Sequence, residues 1–125
     1  MKLFHWFSRK KPKHDVPPMP SWEAIVDMMY DQYLDAFADE IVDVLYSKDR
    51  SMRYVILKDE QGLFTYQLEA LYQLDEDEWK YMCSNSPALP ALWEPYKGIL
   101  GRSLFEKLEE LMRELKTEPE YQLYF

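Results

Sequence analysis

WEAIVDMMYDQYLDAFADEIVDVLY, residues 22–46, is the stretch whose reading decides the fold. Val26, Met29, Tyr30, Tyr33, Leu34, Phe37, Ile41 and Val44 recur at three- and four-residue steps, which predicts one long helix with a broad apolar stripe. Asp27, Asp31, Asp35, Asp39 and Asp43 recur every fourth residue and drift across the opposite face. Ser21 is the expected N-cap, and Glu23 places a carboxylate in the first turn, where it suits the helix dipole. The helix is expected to end near Ser47.

Working outward, Arg53 to Lys58 reads as a strand of aromatic, β-branched and apolar residues. Asp59-Glu60-Gln61-Gly62 then reads as a turn. Phe64, Tyr66, Leu68, Ala70, Tyr72 and Leu74 alternate with Thr65, Gln67, Glu69, Leu71 and Gln73, so a second strand lays its even-numbered side on the core. Asp75-Glu76-Asp77-Glu78 reads as a solvated acidic turn. Trp79 to Cys83 fits either a third strand or a short helix capped by Asp75. Residues 84–101 read as an ordered loop, because Trp93 and Tyr96 need somewhere to pack among its prolines. Ser103 to Glu106 has the capping-box pattern, and Leu104, Leu108, Leu111 and Leu115 form the stripe of a last helix ending near Lys116. The aromatic tail, Tyr121 to Phe125, should pack down.

The expected fold is therefore α+β: a long N-terminal helix, a two- or three-stranded antiparallel meander, and a C-terminal helix. Each helix has one apolar stripe to bury, so both are expected on one face of the sheet. Residues 1–20 read as a basic, aromatic, Pro-rich arm and residues 21–125 as one acidic domain. With 47% hydrophobic and 16% aromatic residues, the composition is that of a folded chain and not a disordered one.

Charge is uneven along the chain. The net is -8, yet residues 1–14 carry Lys2, Arg9, Lys10, Lys11 and Lys13 with no acid. Residues 15–125 then hold 10 bases against 23 acids, a body of -13. Such a body repels phosphate backbones, which disfavours nucleic acid as a partner, and attracts basic proteins. The Asp row and the cluster Asp75, Glu76, Asp77, Glu78 are the residues expected to meet such a partner; the plainer reading is a solvated face that keeps the protein soluble. In the arm, Phe4, Trp6 and Phe7 beside Arg9, Lys10, Lys11 and Lys13 fit a weak peripheral membrane contact or a scaffold role. The plainer reading folds those aromatics onto the domain. A third arrangement lays the arm on the chain's own acidic face until a partner displaces it.

Motifs for chemistry are missing. The three glycines form no phosphate-cradling loop, and no G-x-S-x-G elbow occurs. The single cysteine, Cys83, has no histidine near it in sequence, since His5 and His14 lie in the arm; a structural role is expected. Asp31 and Asp35 are a poor start for a hard-cation site, without neutral ligands or a calcium-loop spacing. No metal, cofactor or catalytic residue is therefore assigned, and the protein reads as a non-enzyme; the further alternative is an enzyme whose carboxylate site is not singled out in the sequence. One cysteine excludes an intramolecular disulfide and suits a reducing, cytoplasmic setting. No apolar run reaches membrane-spanning length, and the start reads as no secretion signal. In general look the chain resembles small acidic bacterial proteins, some of them immunity proteins or other inhibitors of basic partners. Its aromatic ends are compatible with a monomer or a homodimer.

Overall fold

The computed structural model describes residues 16–85, 89–97 and 103–125. At its centre is a four-stranded antiparallel sheet in the simple order β1-β2-β3-β4: β1 (Glu40–Tyr46), β2 (Met52–Lys58), β3 (Phe64–Gln73) and β4 (Ala91–Pro95). Helix α1 (Trp22–Met28) precedes it. Helix α2 (Glu76–Asn85) joins β3 to β4, and α3 (Leu108–Leu115) and α4 (Pro119–Tyr124) follow.

The expected helix over 22–46 is not one helix. It begins as read, with the Ser21 hydroxyl accepting from Ala24 N–H, but it stops after two turns. Asp31 and Tyr33 take left-handed backbone conformations, at φ 58° and 63°, which no continuing right-handed helix tolerates. A single 3-10 turn (Leu34–Ala36) follows, and then β1. Ile41, Val42 and Val44 are β-branched and favour the extended backbone. Their apolar groups recur at helical steps by coincidence with a strand bulged at Val42, where the pairing slips between Ile41 and Asp43. Tyr30 stacks on Tyr46 with ring centres 4.5 Å apart, which holds the two ends of this reversal together.

β2 explains why the sheet is covered on both faces. Every residue from Met52 to Leu57 is buried. A strand buried on both faces needs a neighbour on each edge and a cover on each side. β1 and β3 supply the edges. On one face, Tyr54 and Ile56 meet Leu111 and Leu115 of α3, with Phe64, Tyr66 and Leu68 of β3 around them. On the other, Leu71 of β3 and Trp93 of β4 meet Ile25 and Met29 at α1. The helices therefore lie on opposite faces, not on one. The even-numbered side of β3 receives the C-terminal helices as expected, and its odd side faces α1.

The remaining departures are local. Trp79 to Cys83 belongs to α2, the helical alternative, and the acids before it are its first turn rather than a free turn. Asp75 Oδ1 accepts from Glu78 N–H while Glu78 Oε1 accepts from Asp75 N–H, a reciprocal cap. Cys83 accordingly lies in a helix, half-buried. The Ser103–Glu106 capping box starts no helix: Phe105 bridges to Phe64 by two backbone hydrogen bonds of 2.8 Å, and α3 begins only at Leu108. Pro119 opens α4 instead of merely following a helix, because a proline at the first helical position loses no bond. Of the tail, Tyr121 and Phe125 pack under Tyr54, whereas Leu123 and Tyr124 stay exposed. The 84–101 loop contains β4. Its residues 86–88 and 98–101, like residues 1–15, fall outside the described ones.

Both sheet edges are guarded. On β1 the Asp43 carboxylate takes the N–H of Val44 at 2.8 Å. β4 is bracketed by Pro90 and Pro95, which offer no donor to an incoming strand.

A polar clamp fixes α4 over the sheet. Tyr54 and Tyr66 donate their phenol hydrogens to the two oxygens of Glu118, at 2.8 and 2.7 Å. Burial first, and then the Glu118 carboxylate, push both phenols well above the usual tyrosine range. The neutral phenol is thus the form the fold prefers. Its stabilisation is fully present below the unfolded tyrosine pKa, about 10, and drains away as pH rises above it. In an alkaline titration followed by phenolate absorbance, these two tyrosines should ionise only together with loss of the near-ultraviolet dichroism. Ionisation of all ten tyrosines before unfolding would contradict the clamp.

Candidate functional site

The α1 face of the sheet carries a buried polar network that opens into a cleft. Arg53 on β2 and Glu69 on β3 are directly opposite in the register, and Nε donates to Glu69 Oε1 at 2.8 Å. Both side chains are essentially out of solvent, at 0% and 6% exposure. Gln67 Nε2 donates to the other Glu69 oxygen at 2.9 Å. The Arg53 guanidinium lies over the Trp93 ring, 4.2 Å from its centre, and Trp93 Nε1 donates to the Met29 carbonyl. Arg53 Nη1 also reaches the Tyr46 hydroxyl at 3.4 Å. That hydroxyl donates to Asp31 Oδ1 and accepts from Asp31 N–H, both at 2.8 Å. Burial, the largest effect, raises the Tyr46 phenol, so it is a neutral donor at ordinary pH.

Beside this network is a cleft of about 330 Å³. Tyr33 and Phe37 from the α1–β1 connection form one wall; Gln67, Glu69, Trp93 and Glu94 of the sheet form the other. Its walls are aromatic, and its charged groups are carboxylates. Glu69 is already neutralised by Arg53, so the free charge at the mouth is that of Glu94, which is exposed, with exposed Asp35 next to the lining residue Ala36. Aromatic faces and carboxylates together suit an organic cation, an arginine or lysine side chain above all.

The five aspartates expected in a row are dispersed by the short helix. Asp27 is on α1 and pairs with Arg50 at 2.7 Å on the surface. Asp31 turns in to Tyr46. Asp35 is exposed in the 3-10 turn, Asp39 is half-buried before β1, and Asp43 caps the β1 edge. They share a region but not a helix face. Asp75, Glu76, Asp77 and Glu78 form the start of α2; Glu78 also accepts from Tyr72, and Glu76 lies 3.6 Å from Lys80. Phe4, Trp6, Phe7, Arg9, Lys10, Lys11 and Lys13 lie outside the described residues. Trp93 is in the core, but on the α1 face with Ile25 and Met29 and not between the sheet and the last helix. Among the described residues no three His, Cys, Asp or Glu side chains converge to hold a metal ion, and no helix is long and apolar enough to cross a membrane.

Sequence reading did not single out Arg53, Glu69, Phe37 or Glu94. The signal for the first two was present: a hairpin turning at Asp59–Gly62 puts position 53 opposite 69, and opposite charges there pair. A second signal is the charge desert. Between His14 and Lys48 there are eight acids and no lysine or arginine, and that stretch supplies α1, the cleft wall and β1. Comparison with protein-family models, curated proteins and solved structures gives no match.

Proposed function

We propose that this protein is a non-enzymatic acidic binding domain that docks a basic protein, of the inhibitor or regulatory kind, in the cytoplasm. The observation that carries the reading is the cleft: three aromatic side chains, Tyr33, Phe37 and Trp93, with Glu94 in the lining and exposed Asp35 next in sequence to the lining residue Ala36, one wall coming from residues 15–47, a stretch without lysine or arginine. A basic side chain entering there meets ring faces and carboxylates at once, and the surrounding aspartates steer the approach. The acids at the start of α2 extend the negative field of the same domain.

Asp35 and Glu94 are both exposed, and neither side chain makes a hydrogen bond among the described residues. Changing them together to Asn and Gln should leave stability within about 0.5 kcal/mol, as for other surface substitutions. It should also weaken the complex with a basic partner by about tenfold or more at low salt, with a shallower salt dependence. Isothermal calorimetry of wild type and the double variant across a salt series checks this. Equal affinities and equal salt slopes would remove the cleft from the docking surface.

A further inference from the structure

The floor of the cleft on the α1 face is dry. Glu69 and Trp93 both line it and both are buried, the Glu69 side chain at 6% exposure. The Glu69 carboxylate is also not saturated. An ionised carboxylate offers about four acceptor positions. Here one oxygen accepts from Arg53 Nε at 2.8 Å and the other from Gln67 Nε2 at 2.9 Å, so among the described residues each oxygen keeps a lone pair. The walls are flat: the half-buried rings of Tyr33 and Phe37 and the buried indole of Trp93. The fold already seats one guanidinium on two of these groups, since Arg53 lies 4.2 Å from the centre of the Trp93 ring while it donates to Glu69.

We propose that the cleft selects arginine over lysine: the basic partner presents an arginine whose guanidinium lies flat on the rings and donates an N–H to Glu69. This rests on the cleft being the docking site, and it adds which side chain enters. Three differences between the two bases decide it. A guanidinium is planar and stacks on aromatic faces, whereas an ammonium is a compact point charge. A guanidinium is the more weakly hydrated of the two, so it loses less on leaving water for a buried floor. Its N–H groups also fan out in one plane, so one of them reaches a carboxylate while the ring contact is kept. Charge balances as well. Arg53 and Glu69 cancel each other, and the incoming cation is matched by Glu94 of the same lining.

The test titrates the isotope-labelled full chain with three probes: N-acetyl-arginine amide, N-acetyl-lysine amide and N-acetyl-citrulline amide. NMR follows the backbone amides of Phe37 and Trp93 in the cleft, with Leu111 on the opposite face as the control. The arginine probe should shift the two cleft amides with a Kd about tenfold or more below that of lysine. Citrulline, flat but uncharged, should bind no better than lysine. In Phe37→Leu, which keeps an apolar side chain and removes the ring, the advantage of arginine should fall to about threefold or less. Lysine binding as tightly as arginine overturns the selectivity and leaves the cleft a general site for bases. Citrulline binding as tightly as arginine overturns it too, because shape alone would then be read. Cleft amides unmoved by all three probes overturn the selectivity together with the docking reading.

Discussion

Replacing Glu69 with alanine should lower the unfolding free energy by about 3–5 kcal/mol, the cost of stranding one partner of a buried ion pair. The guanidinium it leaves behind is fully buried. One nitrogen, Nη2, already has no hydrogen-bond acceptor among the described residues, so without Glu69 the charge would keep, among them, the Tyr46 hydroxyl at 3.4 Å and the face of Trp93. Desolvation then has almost nothing to offset it. The double variant Arg53→Met, Glu69→Leu should recover most of the loss, because two apolar groups of similar size need no partners in a layer walled by Trp93 and Val55. Urea unfolding of wild type, both single variants and the double closes the cycle. A Glu69→Ala loss below about 1 kcal/mol would mean that the pair is solvated in solution.

On the opposite face, Leu111→Ala should cost about 2–5 kcal/mol. Leu111 is wholly buried in the cluster with Tyr54, Ile56 and Leu115, so the deleted methyl groups leave a cavity that the rigid strands cannot close. The effect reaches beyond transfer free energy. α3 spans Leu108–Leu115, too short to persist without its seat. α4 follows within a few residues and rests on Tyr54 through Glu118, Tyr121 and Phe125. Hydrogen exchange should therefore accelerate through both helices and not only near the substitution. Leu111→Ala and Glu69→Ala act on different faces of β2 and β3, and their costs should add within about 0.5 kcal/mol. A marked shortfall from additivity would mean that the sheet does not separate two independent layers.

The strands were legible where periodicity and turn chemistry agreed. The alternation from Phe64 to Gln73 and the turn closed by Gly62, at φ 84°, both lie where they were read. The long helix failed because two kinds of apolar spacing coincide. Ile41 and Val44 fit a helical stripe in one dimension, and only the β-branching of Ile41, Val42 and Val44 and the two left-handed residues at 31 and 33 distinguish a strand. The two-faced burial of β2 was the missing clue: a run from Met52 to Leu57 with no solvated side demands layers above and below. The cleft was harder to see. Tyr33, Phe37, Trp93 and Glu94 are far apart in sequence, and they meet only because the chain reverses after α1 and passes over the sheet. The acidity of the region, by contrast, was plain from residue counts, and it survives the loss of the helix that was to display it.

A basic partner docked at the aromatic, acid-rimmed cleft is the reading most exposed to a single experiment. Tagged full-length wild type and the Asp35→Asn, Glu94→Gln variant are incubated with lysate from the native cell at low and high salt, and the retained proteins are quantified by mass spectrometry. The expected result is a basic protein enriched on wild type, released by salt, and depleted on the variant, whose far-ultraviolet dichroism matches wild type. A basic protein retained equally by both baits, or retention that ignores salt, would contradict docking at the cleft.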